Sequence, residues 1–164
     1  MIHLYKFKFL VIIINMNLKT LQIQLTNIFQ KLDNSNLKEI RNQVKNTLKS
    51  YDGEDWKTYF KPCDSSYNRE LLFTSPEYDL VIITWCKDQG CAIHNHPKNG
   101  CTVKILQNSI SEELYEADTL KLTNTSLYKK DDIMYIDDTL GYHRMCNKCT
   151  DPLYIITCIC TWQI

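Results

Sequence analysis

The sequence has no excess of either charge: 19 lysines and arginines stand against 19 aspartates and glutamates. With no basic surplus to displace counterions from a phosphate backbone or to dock on anionic lipid, the expectation is no nucleic-acid partner and no membrane partner. It also lacks a long apolar run. The stretch Phe9–Ile14 follows Lys6 and Lys8, but its six residues fall far short of the roughly 20 needed to cross a bilayer. No small-residue cleavage site comes after it, so it does not read as a secretory signal. It reads instead as an early strand, or as an extension upstream of a start at Met16. Internal repeats and low-complexity segments are absent. Histidine is scarce, with four in all.

Cysteine is not scarce. Eight cysteines would suit a disulfide framework in a short secreted chain, but 164 residues can bury a core without such staples. The expectation is reduced thiols in a cytoplasmic compartment. Hydrophobic residues make up 44% and charged residues 23%, an ordinary globular balance. Residues 1–16 are left as an unassigned extension and 17–164 as one domain.

Within that domain the apolar positions first follow a helical period. Leu18, Leu21, Leu25, Ile28, Phe29 and Leu32 form one stripe, and Leu37, Ile40, Val44, Leu48 and Tyr51 a second. Asn36 with Glu39 three residues on predicts a capping box, and Asp52-Gly53 a stop. The helical start thus covers about 18–52. After Pro62 the pattern changes to short β-branched and aromatic runs: Tyr78–Trp85, Cys101–Gln107, Ile133–Ile136 and Leu153–Trp162. Many short strands without intervening helices predict a sandwich or barrel over about 67–164, with the helices packed outside it.

Three of the four histidines fall in two short segments, Gly90-Cys91-Ala92-Ile93-His94-Asn95-His96 and Gly141-Tyr142-His143. If the first segment is a strand, His94 and His96 share a face and their imidazoles converge on one metal, with His143 arriving from a later strand. A lone buried histidine is more often a hydrogen-bonded core residue; the pair with a distant third favours metal. Three neutral imidazoles suit divalent iron, zinc, copper or nickel and leave open positions. A four-thiolate zinc site from Cys146, Cys149, Cys158 and Cys160 is the rival reading. It is weakened by the Cys-x-Cys spacing of the second pair inside an apolar strand.

Gly-x3-His-x-His, four residues and Cys101, then Gly141-x-His143-x3-Asn147, resemble the two cupin motifs. Cysteine at position 101, where many cupins carry glutamate, is similar to cysteine dioxygenase. Tyr67-Asn68-Arg69, Ile83-Thr84-Trp85, Cys101–Gln107 and Tyr135–Arg144 agree in order and spacing over about half of the chain.

The resemblance implies a mainly β, cupin-type double-stranded β-helix (a jelly-roll barrel) preceded by N-terminal helices. It implies one Fe(2+) per chain on His94, His96 and His143, and oxidation of L-cysteine by O2 to cysteine sulfinate by a monomer. Mercaptopropionate or cysteamine as substrate, or a metal-binding cupin without turnover, are the alternatives. Arg69 would clamp the substrate carboxylate with Tyr67 adding a hydroxyl. Without the resemblance, an arginine reads as a solvated surface group and Cys101 as a small buried hydrophobe. In the family Cys101 is joined by a thioether to a tyrosine of the last strand, and Tyr67 and Cys101 are the catalytic candidates. This chain departs there: Ile159 or Cys160 is expected at the tyrosine's place, with Thr157 and Cys158 near the positions of an accompanying serine and histidine.

Overall fold

A computed structural model describes residues 15–33, 35–97, 99–148 and 154–162. The segment Phe9–Ile14, Cys149 and Pro152 lie outside the described residues.

The two helical stripes fold as α1 (Leu18–Phe29) and α2 (Leu37–Ser50), followed by a short 3-10 turn at Asp55–Tyr59. Asn17 caps α1, its side chain accepting from Thr20 N at 2.8 Å. The capping box expected at Asn36 does not form. Its carboxamide instead accepts from Asp33 N and donates to Lys31 O, closing the turn between the helices. Glu39 accepts from Gln43 one turn on. No described helix is long and apolar enough to cross a membrane.

Eight strands follow: β1 (Asn68–Thr74), β2 (Tyr78–Cys86), β3 (Cys101–Gln107), β4 (Ser109–Tyr115), β5 (Leu122–Lys129), β6 (Ile133–Ile136), β7 (Tyr142–Cys146) and β8 (Tyr154–Trp162). Every pairing is antiparallel, in a five-stranded sheet of order β1-β2-β8-β3-β6 and a three-stranded sheet of order β5-β4-β7. The fold is therefore mainly β, two antiparallel sheets with helices on the N-terminal side.

The central strands are apolar on both faces because both faces are covered. On the outer face of the larger sheet, Tyr78, Leu80, Ile82, Cys158, Cys160 and Trp162 pack against the apolar stripes of α1 and α2. Phe29 anchors this layer, stacking on Tyr78 at 4.6 Å and meeting Trp162 edge-on at 5.0 Å. Lys104 penetrates the same layer, its Nζ donating to the carbonyls of Lys49 and Tyr51 at the end of α2. On the inner face, Val81, Ile83, Trp85, Val103 and Ile105 meet Ile110 and Met145 of the smaller sheet. Ile83, Trp85, Val103 and Met145 of that inter-sheet layer also line a cavity.

Candidate metal centre

The segment carrying His94 and His96 is not a regular strand. It is an irregular span pinned to β7 by Cys91 N donating to Met145 O and by reciprocal bonds between the His94 and His143 backbones at 3.0 and 3.1 Å. This bridge sets His94 directly across from His143. Asp138 Oδ1 accepts His96 N at 2.7 Å and fixes the next turn of the chain. Glycines permit these close approaches. At Gly100, φ is +72° and a Cβ would stand 2.2 Å from Ile136 O; at Gly141, φ is +124° and a Cβ would meet Tyr115 O at 2.4 Å. Each precedes a site residue, Cys101 or His143, by one or two positions.

The three imidazoles converge although the strand expected for two of them is absent. One nitrogen from each lies within 4.8 Å of the others, and His96 Nε2 is 3.0 Å from His143 Nε2. The far side of two rings is occupied: His143 Nδ1 donates to Glu112 Oε1 at 2.7 Å and His94 Nδ1 to Ala92 O at 3.0 Å. Those donations leave the Nε2 lone pairs facing the centre, the tautomer a metal requires. His96 Nδ1 is buried without a hydrogen-bond partner, Asp138 Oδ1 lying 3.9 Å away. Burial, reinforced by the neighbouring His143 and His94, lowers the pKa of His96 to about 3. The ring is thus neutral and ready to donate an electron pair. Three imidazole nitrogens at this spacing fit one divalent ion.

The histidines open onto a cavity of about 280 Å³ whose wall also includes Tyr67, Arg69, Trp85, Cys101, Thr157 and Thr161. Tyr67 packs against Trp85 with ring centres 4.6 Å apart and planes tilted by 31°, and Trp85 Nε1 donates to Thr157 Oγ1 at 3.3 Å. Arg69 is half exposed, and its Nη2 stands 3.7 Å from Asp79 Oδ2. Cys101 is buried; desolvation first, then the Glu112 charge, pushes its thiol up to about 12. All six residues singled out in the sequence therefore meet at one cavity. Two that were not singled out stand beside it, Glu112 behind His143 and Asp79 behind Arg69. The alternation Ile110-x-Glu112-x-Leu114, a carboxylate between two apolar residues of one strand face, was the available signal for the first.

The last strand differs from expectation. Cys101 pairs with Thr161, and Thr102 with Cys160. Thr157, Ile159 and Thr161 line the cavity, whereas Cys158 and Cys160 point to the helix-side core. Ile159 is on the expected side; Cys160 is not, because side chains alternate along a strand. The zinc reading fails on the same geometry for its described members. Cys158 and Cys160 lie in the helix-side layer, Cys146 sits on β7 of the other sheet, and among the described residues the histidine triad is the cluster able to hold a metal.

The sequence matches the family described as "Cysteine dioxygenase type I" over residues 10–154. The chain belongs to that family. It is similar to cysteine dioxygenase type 1 of Danio rerio, with 31% identity over 129 residues that cover 73% of this chain and 62% of the relative. To the Homo sapiens protein of the same name it is 25% identical over 113 residues, 64% of this chain and 56% of the other. The chain thus spans somewhat over half the length of the curated relatives it matches. Two solved structures share the fold at low identity. A cupin superfamily protein from Desulfitobacterium hafniense gives a TM-score of 0.52 at 8% identity, covering 64% of this chain and 84% of its own. A Thermus thermophilus protein gives 0.54 at 12%, covering 67% and 96%. The two-sheet architecture is accordingly the cupin double-stranded β-helix. On this barrel His94, His96 and His143 form a group able to hold a metal ion.

Proposed function

We propose that the chain is an iron-dependent thiol dioxygenase that converts L-cysteine and O2 to cysteine sulfinate, with one Fe(2+) per chain on His94, His96 and His143. In this reading it works as a cytoplasmic monomer. The observation that carries the proposal is the convergence of three imidazoles on a cavity that also holds Arg69, Tyr67 and Cys101.

His94, His96 and His143 would hold a divalent iron through neutral nitrogens, so that it would supply an undiminished double positive charge for a thiolate and open positions for dioxygen. The chain's own residues supply the rest. Arg69, always charged and forked, reads the substrate carboxylate; Tyr67, steadied by Trp85, adds a hydroxyl beside it. Apolar cavity walls such as Ile83, Val103 and Ile159 keep bulk water from the sulfur. The balance closes without an external reductant: the thiol sulfur gives up four electrons, and both oxygen atoms end in the sulfinate.

The buried Cys101 thiol stays protonated and serves as a compact wall rather than as a nucleophile. Mercaptopropionate and cysteamine remain the competing substrates, separated by whether Arg69 matters to them. Anaerobic loading with ferrous iron, followed by oxygen uptake and product analysis over these three thiols, tests the proposal.

A further inference from the structure

We propose that Asp79 sets the thiol selectivity of this cavity by competing with the bound carboxylate for Arg69. The inference rests on the reading of Arg69 given above and concerns a residue that reading does not use.

Asp79 sits in β2 among residues whose odd-numbered members, Val81, Ile83 and Trp85, face the inner layer. Its Cα partner on β8 is Thr161, itself paired with Cys101 of β3. Asp79 therefore belongs to the same cross-strand row as two cavity residues. Arg69 is paired with Ile83, four residues along β2 from Asp79, a span of about 13 Å at strand rise. The arginine and aspartate side chains together close that span, leaving Arg69 Nη2 3.7 Å from Asp79 Oδ2.

Two details make this pair a competitor rather than a fixed strut. The separation exceeds hydrogen-bond length, so the attraction is Coulombic and the guanidinium fork remains free for another oxyanion. Asp79 Oδ1 is buried and accepts no hydrogen bond from the protein, and the side chain is only 16% exposed. A structural aspartate at this depth would have both oxygens satisfied. Asp79 instead depends on Arg69 for its charge balance. When a ligand carboxylate takes the fork, two carboxylates share one cation and the buried one loses part of its compensation. Carboxylate-bearing thiols are held less tightly than Arg69 alone would hold them, and a thiol without a carboxylate is unaffected. The discrimination between the two classes is a difference of affinities, and Asp79 narrows it.

Cobalt(II)-loaded protein, titrated anaerobically with cysteine, 3-mercaptopropionate and cysteamine, reports thiol binding through the thiolate-to-metal absorption band and requires no turnover. Asp79→Asn should tighten cysteine and 3-mercaptopropionate by about 3- to 10-fold, the scale of one partly screened ion pair, and leave cysteamine unchanged. Asp79→Glu, which keeps the charge, should keep the wild-type ratios. In an Arg69→Ala background, Asp79→Asn should bring no gain. Unchanged affinities in Asp79→Asn, or equal tightening of all three thiols, would overturn the proposal. So would the absence of any thiol-dependent absorption. Failure of the iron-loaded protein to oxidise cysteine, with the selectivity shift intact, would count against the dioxygenase reading alone.

Discussion

Glu112 Oε1 accepts from His143 Nδ1 at 2.7 Å, while its second oxygen accepts from Tyr128 Oη at 3.1 Å. The carboxylate thereby fixes the tautomer and rotation of one metal-facing imidazole and raises its basicity. Glu112→Gln keeps the shape and removes the charge. It should weaken metal binding by roughly 10- to 100-fold, read by competition with a chelating dye. An unchanged affinity would assign Glu112 to packing.

Arg69→Ala should raise the cysteine concentration needed for half-maximal rate by roughly 10- to 150-fold, the range of one charge-assisted hydrogen bond in a partly desolvated site. Metal content should not change, and cysteamine should be indifferent. Steady-state kinetics with both thiols checks it, since equal losses would show that Arg69 does not read a carboxylate.

Cys101 should form no thioether. Its β8 neighbour is Thr161, and the one tyrosine of that strand, Tyr154, pairs with Cys86 seven residues away, about 23 Å along the strand. A link from Cys101 to Cys160 is excluded as well, because Cys160 points into the helix-side core. Peptide mapping after many turnovers should recover Cys101 as a free thiol. A Cys101 peptide joined to a tyrosine, two hydrogens lighter and resistant to reductant, would contradict this.

Thiol reactivity should divide the cysteines. The Ser65 hydroxyl, then the Ser65 and Ser66 amides, hold the Cys63 thiol below its ordinary value of 9.0. Burial pushes Cys101 and Cys158 up to about 12. A lowered thiol pKa enlarges the thiolate fraction at neutral pH, so among the described cysteines Cys63 should alkylate first, its rate levelling off below pH 9.0. Cys101 and Cys158 should stay unlabelled there while the chain is folded. Mass-resolved labelling across a pH series checks the order.

How far the sequence revealed this architecture depended on burial. The stripes of α1 and α2 and the apolar strands β2, β3, β6 and β8 were legible because each packs a continuous hydrophobic face. β4 and β5 were not. β5 is a mostly exposed edge strand whose Thr-Asn-Thr-Ser core has no apolar alternation to read, and β4 carries two glutamates. The histidine triad was legible from spacing, yet the route to it was not: β7 holds His94 in register through backbone bonds that no side-chain pattern encodes. Cys160 failed by one residue, the smallest error in a strand and enough to exchange its two faces. Asp79 was in plain view within a predicted strand, but its partnership with Arg69 depends on where a long side chain lies, which spacing does not determine.

On the function proposed above, His94, His96 and His143 together hold the iron that oxygenates a thiol. The direct measurement is anaerobic loading of wild type and His143→Ala with ferrous iron, followed by metal analysis, oxygen uptake and product mass with cysteine. Wild type should retain one iron per chain and consume one O2 for each cysteine that gains two oxygen atoms, and His143→Ala should lose iron and uptake together. Stoichiometric iron and full oxygen uptake in His143→Ala would contradict the account.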